Sequence, residues 1–264
     1  EGDDYRNLWR QFGAVMKEGP IEDPGNKDKL SKLLRFATTH GKGADQDQSL
    51  DDYVSRMQDG QDRIYYLLAD NHSTAIASPH LEQLRKKDIE VLLLTDRIDP
   101  WLVDALREYD GKELADVARE GLSLPEGDGA ISQDVANEQH KPLLKKIKRV
   151  LKDRVEAVNV SRRLVDSPAC VVAGEGDLNP SLKRMLEASG QSLPETRPIL
   201  EVNVEHPLLE RLSAESDEER FSALSNVLLD HALLAEGSQI ENPAEYVARM
   251  NRLLLELDSA TGAK

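Results

Sequence analysis

Residues 50–70 read LDDYVSRMQDGQDRIYYLLAD, and residues 89–112 read IEVLLLTDRIDPWLVDALREYDGK. Within them two short apolar runs, at 64–68 and 91–94, are rich in strand-forming residues. Residues 77–87 favour a helix that ends in three basic side chains, which suit the negative end of a helix dipole. Strand, helix and strand of these lengths predict a parallel βαβ unit with a right-handed crossover.

The rest of the chain alternates helices with short strands, so the predicted fold class is α/β with α+β character. Residues 125–129 read PEGDG, the clearest linker in the sequence, and we place a domain boundary there. The first domain, at 1–128, is predicted to contain helices and the small parallel βαβ sheet. The second, at 129–264, is predicted to be an α+β domain that ends in two helices, at 218–235 and 243–257.

The composition is strongly acidic. The 264 residues include 34 lysines and arginines against 49 aspartates and glutamates, a formal net charge of −15. This balance argues against general nucleic-acid binding. Neither a signal peptide nor an apolar run of the ~18–20 residues needed to span a bilayer is recognisable. The single cysteine, Cys170, excludes an internal disulfide framework and is predicted to be buried. Together these features predict a cytoplasmic protein without membrane contacts.

No recognisable active site is assembled by the sequence. Residues 69–73, which follow the first apolar run, lack the glycines that let backbone amides approach a phosphate. The six histidines include no pair at the spacing that puts two metal ligands on one helix face. However, Asp96 and Asp99 follow the second apolar run, at the sheet edge where open α/β sheets bind ligands. A small α/β enzyme that binds a nucleotide is therefore an alternative.

One helical segment, residues 141–154, concentrates positive charge. Two interpretations remain open: a solvated helix face, or a contact surface for an acidic partner. Its seven basic residues are Lys141, Lys145, Lys146, Lys148, Arg149, Lys152 and Arg154.

Several strings along the chain resemble the ninety-kilodalton heat-shock protein chaperones, most closely their bacterial form. They are LWRQFG at 8–13, KLLRF at 32–36, YVSRM at 53–57, IYY at 64–66, LLTDRID at 93–99, YDGK at 109–112 and RMN at 249–251. The resemblance implies the end of the family's middle domain at 1–128 and its C-terminal dimerisation domain at 129–264. It also implies a molecular chaperone that forms a homodimer and binds partly unfolded client proteins.

The resemblance assigns the family's ATP hydrolysis to parts of the protein upstream of Glu1. ATP and Mg are bound there by an N-terminal domain, and a middle-domain loop contacts the γ-phosphate. We therefore expect a fragment that is not an enzyme and has no catalytic, cofactor-binding or metal-binding residues. The implied partners are a second copy of the chain, unfolded clients and a bacterial chaperone of the seventy-kilodalton class.

The two C-terminal helices each carry apolar residues at helical spacing on one face. The pattern alone allows them to pack on their own domain or on the same pair from a second subunit. The resemblance implies the second arrangement, a four-helix bundle. The predicted dimerisation residues are Phe221, Leu224, Val227, Leu228, Leu234, Tyr246, Met250, Leu253, Leu254 and Leu257.

A further apolar stripe, at residues 178–186, follows a glycine-containing segment. Its spacing predicts one face of a short helix, and ordinary core packing would explain it. The resemblance instead implies that this helix and a tryptophan after the second strand contact unfolded clients. The predicted client-binding residues are Trp101, Leu178, Leu182, Met185 and Leu186. A purely structural dimerisation module, without client contacts in this chain, is the alternative.

Overall fold

The structure is a computed structural model that describes residues 2–41, 43–122, 133–174, 176–178, 182–183, 186, 190–191, 193 and 196–261. The chain divides into two compact units. Unit 1 comprises Glu1–Glu126 with Glu175–Pro194, and unit 2 comprises Gly127–Gly174 with Glu195–Lys264. The domain boundary predicted at 128–129 lies outside the described residues.

Unit 1 contains helices and a mixed sheet. Its helices are α1 (Gly2–Met16), α2 (Gly19–Glu22), α3 (Lys27–Ser31), α4 (Leu50–Ser55), α5 (His72–Ile76), α6 (Glu82–Lys86) and α7 (Asp99–Leu106), with 3-10 turns at Pro24–Asn26 and Pro79–Leu81. Its strands are β1 (Ala37–Thr38), β2 (Arg63–Leu68), β3 (Leu92–Leu94), β4 (Glu108–Tyr109) and β5 (Lys112–Asp116).

The predicted βαβ unit is confirmed, because β2 and β3 pair in parallel with Tyr66 opposite Leu92. The connection is not one helix over 77–87 as predicted, but α5, a 3-10 turn and α6. Pro79 begins that 3-10 turn, since proline has no amide hydrogen with which to continue the ladder of α5. The crossover is therefore built from short helical pieces.

The sheet of unit 1 has the strand order β1-β3-β2-β5-β4, so β2 is the central strand. On its other side β2 pairs in parallel with β5, a strand that was not predicted from the sequence. One face of β2 packs against α1, α4 and α7, and the other against α5 and α6. Both faces are covered, which explains why residues 64–68 are continuously apolar instead of alternating. The predicted turn at Asp110 and Gly111 joins β4 to β5 with positive φ at both residues, as in a two-residue hairpin.

Unit 2 contains a small mixed sheet with the order β6-β8-β7. Its strands are β6 (Val158–Val160), β7 (Ala169–Val172) and β8 (Ile199–Val202), and its helices are α8 (Gln133–Gln139), α9 (Lys141–Leu151), α10 (Pro207–Ala214), α11 (Glu218–Ala235) and α12 (Pro243–Thr261), with a 3-10 turn at Lys152–Arg154. Strand β6 runs parallel to β8, whereas β7 runs antiparallel to it. The two mixed sheets and their helices confirm the predicted α/β fold class.

The main core of unit 2 lies between the sheet and helices α9, α10 and α11. Cys170 is fully buried, as predicted. Helix α12 does not enter this core, and its apolar contacts belong to a separate small cluster with α11. This cluster consists of Ala223, Leu224, Val227, Met250 and Leu253. Among the described residues no helix is both long and apolar enough to cross a membrane.

Candidate functional site

The two aspartates at the sheet edge of unit 1 are paired with a lysine from the end of α1. The Nζ atom of Lys17 lies 2.7 Å from Asp96 Oδ2 and 2.8 Å from Asp99 Oδ1. The side chain of Lys17 is 1% exposed and that of Asp99 is fully buried, so Asp99 does not reach a ligand from solvent. This geometry counts against the nucleotide-binding alternative. The described residues also contain no group of three or more His, Cys, Asp or Glu side chains that could hold a metal ion.

The two carboxyl groups respond differently to the same lysine. Burial raises the pKa of Asp99 above its ordinary value, and the charge of Lys17 offsets only part of that effect. Burial also raises the pKa of Asp96, but Lys17 and a hydrogen bond from Gln46 outweigh it, so the pKa ends below its ordinary value. Asp99 is the first residue of α7, and its Oδ2 accepts a hydrogen bond from the backbone amide of Asp96. The cluster therefore fixes the start of α7.

Trp101, a predicted client-binding residue, lies in the first turn of α7. Its side chain is 39% exposed, whereas the neighbouring Leu102 is buried in the core. The helix start thus holds a large aromatic surface toward solvent. In the apolar stripe at 178–186, Leu178 is exposed, Leu182 and Leu186 are partly exposed, and Met185 lies outside the described residues.

The predicted dimerisation residues of α11 are mostly buried within unit 2. Phe221 is in the main core, with Lys146 Nζ 3.8 Å from the centre of its ring. Val227 and Leu228 are also buried, Leu224 is partly buried, and Leu234 is exposed.

Among the described side chains of α12, three of the predicted residues face unit 2 and one is exposed. Leu253 is buried, Met250 is partly buried, and Tyr246 shares a 2.9 Å hydrogen bond with His231 Nε2. Leu254 is 53% exposed, and the side chain of Leu257 is outside the described part of the chain.

An apolar groove of about 180 Å³ lies between α10, α11 and α12. It is lined by Leu208, Arg211, Leu212, Arg220, Leu224, Val227, Leu228, His231, Met250, Leu253 and Leu254. Sequence reasoning missed the contribution of α10, because the periodicity of one helix does not show which other helices it packs against. The apolar residues Leu208 and Leu212, four positions apart on α10, were the available signal.

Helix α12 also presents an apolar outer face, formed by Val247, Leu254 and Leu255. Leu255 is 71% exposed and Val247 is exposed, and neither was predicted. Their signal was the run of three leucines at 253–255, since three consecutive helical positions cannot all face one neighbour. The outer face of α12 and the apolar groove are adjacent, because Leu254 belongs to both.

The basic helix α9 contacts its own unit through most of its charges. Lys146 and Arg149 pair with Glu218, and Lys148 donates hydrogen bonds to the carbonyls of Lys152 and Val155. Lys141 pairs with Glu138, and Arg154, just beyond α9, pairs with Asp230. These intramolecular contacts favour a structural role for the charges over a contact surface for an acidic partner.

Comparison with known proteins finds similarity along nearly the whole chain. The family model described as Hsp90 protein matches residues 1–262. The chaperone protein HtpG of Bordetella avium (strain 197N) is 51% identical over 258 residues, which cover 97% of this chain and 41% of that relative. The chain thus spans about two fifths of the length of the curated relative that it matches.

Proposed function

Since the chain belongs to the Hsp90 protein family, we propose that it holds a homodimer together and binds partly unfolded client proteins as part of a molecular chaperone. The observation that carries this proposal is the apolar surface of unit 2, where the outer face of α12 adjoins the apolar groove. Single exposed leucines are ordinary, but a set on one helix beside an apolar groove is typical of an interaction site.

The occupant that we propose for this surface is a second copy of the chain. In a two-fold dimer each subunit contributes the same patch, so the outer face of one α12 would lie against the groove of its partner. The pair α11 and α12 from each subunit would then form a bundle of four helices, as the family resemblance implies. Leu254 and Leu255 would move from water into that contact.

Client binding is proposed at Trp101 and at the stripe formed by Leu178, Leu182, Met185 and Leu186. An exposed tryptophan provides a large, rigid apolar surface. Leucine and methionine side chains repack around different partners, which suits a protein that meets many unfolded sequences. The net charge of −15 would favour basic clients.

ATP and Mg, on this proposal, bind elsewhere in the longer proteins of the family and not to these 264 residues. Pairing of Asp96 and Asp99 with Lys17 supports this, because it occupies the sheet edge that would face a nucleotide. Titration with a fluorescent ATP analogue in the presence of Mg²⁺ should give no saturable binding, and a stoichiometric signal would contradict the proposal. A cytoplasmic location and a seventy-kilodalton chaperone partner are part of the same proposal and follow from the family resemblance.

Sedimentation velocity over a wide concentration range tests the dimer. We expect a species of twice the 29.4 kDa chain mass, and the double variant Leu254→Asp/Leu255→Asp should weaken association by about 100-fold or more. Val135→Asp is the control, because it introduces an aspartate at an exposed apolar residue of α8 in the same unit. A wild-type monomer at every concentration, or a double variant that still dimerises like the control, would refute the proposal.

Fluorescence anisotropy with a labelled, permanently unfolded basic protein (reduced and carboxamidomethylated ribonuclease A) tests client binding. Trp101→Ser and the triple change Leu182→Ser/Met185→Ser/Leu186→Ser should each weaken binding by about tenfold in a folded dimer. Leu33→Ser, at another exposed leucine of unit 1, should leave the affinity unchanged. Unchanged affinity in both client-site variants would instead favour a purely structural dimerisation module.

A further inference from the structure

Asp230 stands at the centre of a charge cluster that joins three elements of unit 2. This α11 residue has a side chain that is 2% exposed. Its Oδ1 accepts a hydrogen bond from Nη2 of Arg154, in the 3-10 turn after α9, and its Oδ2 accepts one from Nη1 of Arg249 on α12, at 3.0 Å. One carboxylate is thus shared between an arginine of the main body of the unit and an arginine of α12.

Both arginines are held by a second partner. Arg154 Nη1 donates to the Asn226 side-chain oxygen at 2.8 Å, and Arg249 Nη2 donates to Glu245 Oε1 at 2.6 Å. The guanidinium group of Arg249 therefore bridges two carboxylates, one on α11 and one on its own helix. A planar guanidinium group that donates hydrogen bonds to two carboxylates has a defined orientation, which the flexible side chain of a lysine would not have.

The apolar contact between α11 and α12 is small and lies apart from the main core. Apolar burial stabilises contact but is not directional, so it does not by itself fix the rotation of α12 about its axis. Polar contacts between the helices supply direction. The Asp230–Arg249 ion pair and the hydrogen bond between His231 and Tyr246 lie side by side, and a longer ion pair, at 3.6 Å, joins Arg220 to Glu256.

We infer that Asp230 is a positioning residue for the dimer contact, and that it acts by setting the rotation of α12 through Arg249. Helical geometry places Arg249 and Leu254, five residues apart, about 140° from each other around the helix. Anchoring Arg249 to Asp230 on the inner side therefore points Leu254 outward. This inference rests on the dimerisation proposed above and adds the group that aligns its surface.

The test is the dimer dissociation constant of Arg249→Met, measured by sedimentation velocity. Methionine keeps an apolar stem but removes the ion pair, and we expect the dissociation constant to rise about tenfold, which corresponds to ~1.4 kcal/mol. Arg249→Lys, which retains the charge but not the planar group that binds two carboxylates, should recover only part of the loss. Arg149→Met is the matched control, because Arg149 is an exposed arginine of α9 in the same unit, and it should leave the dissociation constant within twofold of wild type.

A double-mutant cycle tests whether Asp230 and Arg249 affect the dimer through their shared interaction or independently of each other. Asp230→Asn should weaken the dimer, and adding Arg249→Met to it should produce little further loss, because both changes remove the Asp230–Arg249 ion pair. Additive effects of the two changes, or an unchanged dissociation constant in Arg249→Met, would overturn the inference.

Hydrogen exchange of the monomer distinguishes failure of the inference from failure of the proposed dimer. At concentrations where both proteins are monomeric, Arg249→Met should speed amide exchange in residues 243–256 but not in α10. If the wild-type chain never dimerises, the proposed function fails, and this exchange comparison still decides whether Asp230 positions α12. Equal exchange rates in wild type and variant would refute the positioning role.

Discussion

One buried charge cluster of each unit is neutralised in the opposite way to the other. In unit 1 one lysine, Lys17, lies between the carboxylates of Asp96 and Asp99, whereas in unit 2 one carboxylate, Asp230, lies between the guanidinium groups of Arg154 and Arg249. The first cluster is closed at its cation, since Lys17 and Asp99 are inaccessible to water, and it opens to solvent at Asp96, whose side chain is 29% exposed. The second is open at its edges, because the side chain of Arg154 is 27% exposed and that of Arg249 is 12% exposed.

The difference indicates what each cluster can tolerate. A cluster with a single buried cation loses its counter-charge when that cation is removed, and the carboxyl group of Asp99 stays buried. A cluster with two cations around one carboxylate keeps a partner after either is lost, and water reaches the exposed arginines. We therefore expect the cluster of unit 1 to determine folding, and that of unit 2 to determine the orientation of a helix.

The largest expected effect is that of Lys17→Met. The change leaves Asp96 and Asp99 without their cation, and we expect a loss of about 3–5 kcal/mol in the free energy of unfolding of unit 1. Urea denaturation followed by tryptophan fluorescence measures it, because Trp9 is buried in the core beside this cluster. Lys29→Met, at an exposed lysine of α3, should change the free energy by less than ~0.5 kcal/mol. A loss below about 1 kcal/mol in Lys17→Met would remove the distinction between the two clusters.

A smaller effect is expected for Arg154→Met in unit 2. Asp230 keeps Arg249 as a partner, so the loss should be that of hydrogen bonds to a charged group, about 1.5–3 kcal/mol. The free energy of unfolding from a urea titration monitored by circular dichroism gives the value. Arg197→Met serves as the control, since the pair of Arg197 with Asp153 is exposed and should contribute little. If Arg154→Met destabilised the protein as much as Lys17→Met does, sharing one carboxylate between two cations would provide no tolerance.

Local signals in the sequence predicted part of unit 1 and missed the rest. The parallel pairing of β2 and β3 was predictable, because the two apolar runs and the spacer between them are local signals. Strand β5 was missed because KELAD carries three charged residues and lacks a strand-like apolar run. Lys17 was missed for a different reason: it lies 79 residues from Asp96, and nothing local marks a lysine that will be buried.

The apolar pattern of α11 shows a second limit of periodicity. The spacing identified an amphipathic helix, but not which partner would cover each side. In the structure Phe221 and Leu229 face the core of unit 2, and the polar residues Ser225 and Asp230 are buried as well. Asp230 can be buried because arginines of two other elements pair with it, and the periodicity of one helix does not reveal those partners. For the same reason, the exposure of Leu254 and Leu255 on α12 could be assigned only from the structure.

The smallest expected effect is the pH dependence within the cluster of unit 1, where the two aspartates should act with opposite sign. The pKa of Asp96 is lowered in the folded state, so its contribution to stability is present above the unfolded pKa of about 3.9 and is lost as pH falls through the folded value. The pKa of Asp99 is raised, so its contribution is present below the unfolded pKa and is lost as pH rises through the folded value. Because these contributions oppose each other, mild acidification should change the contribution of this cluster to the stability of unit 1 only slightly.

Carboxyl carbon chemical shifts followed by NMR between pH 2 and 7 give the two midpoints directly. Asp96 should titrate below the ordinary aspartate range and Asp99 above it, because the more exposed carboxylate benefits from Lys17 while the sealed one is dominated by burial. A short unfolded peptide that contains one aspartate provides the reference titration. If Asp96 and Asp99 titrated together with that reference, water would reach Asp99 as well as Asp96. The cluster of unit 1 would then be as open as that of unit 2, and the expected difference between Lys17→Met and Arg154→Met would lose its physical basis.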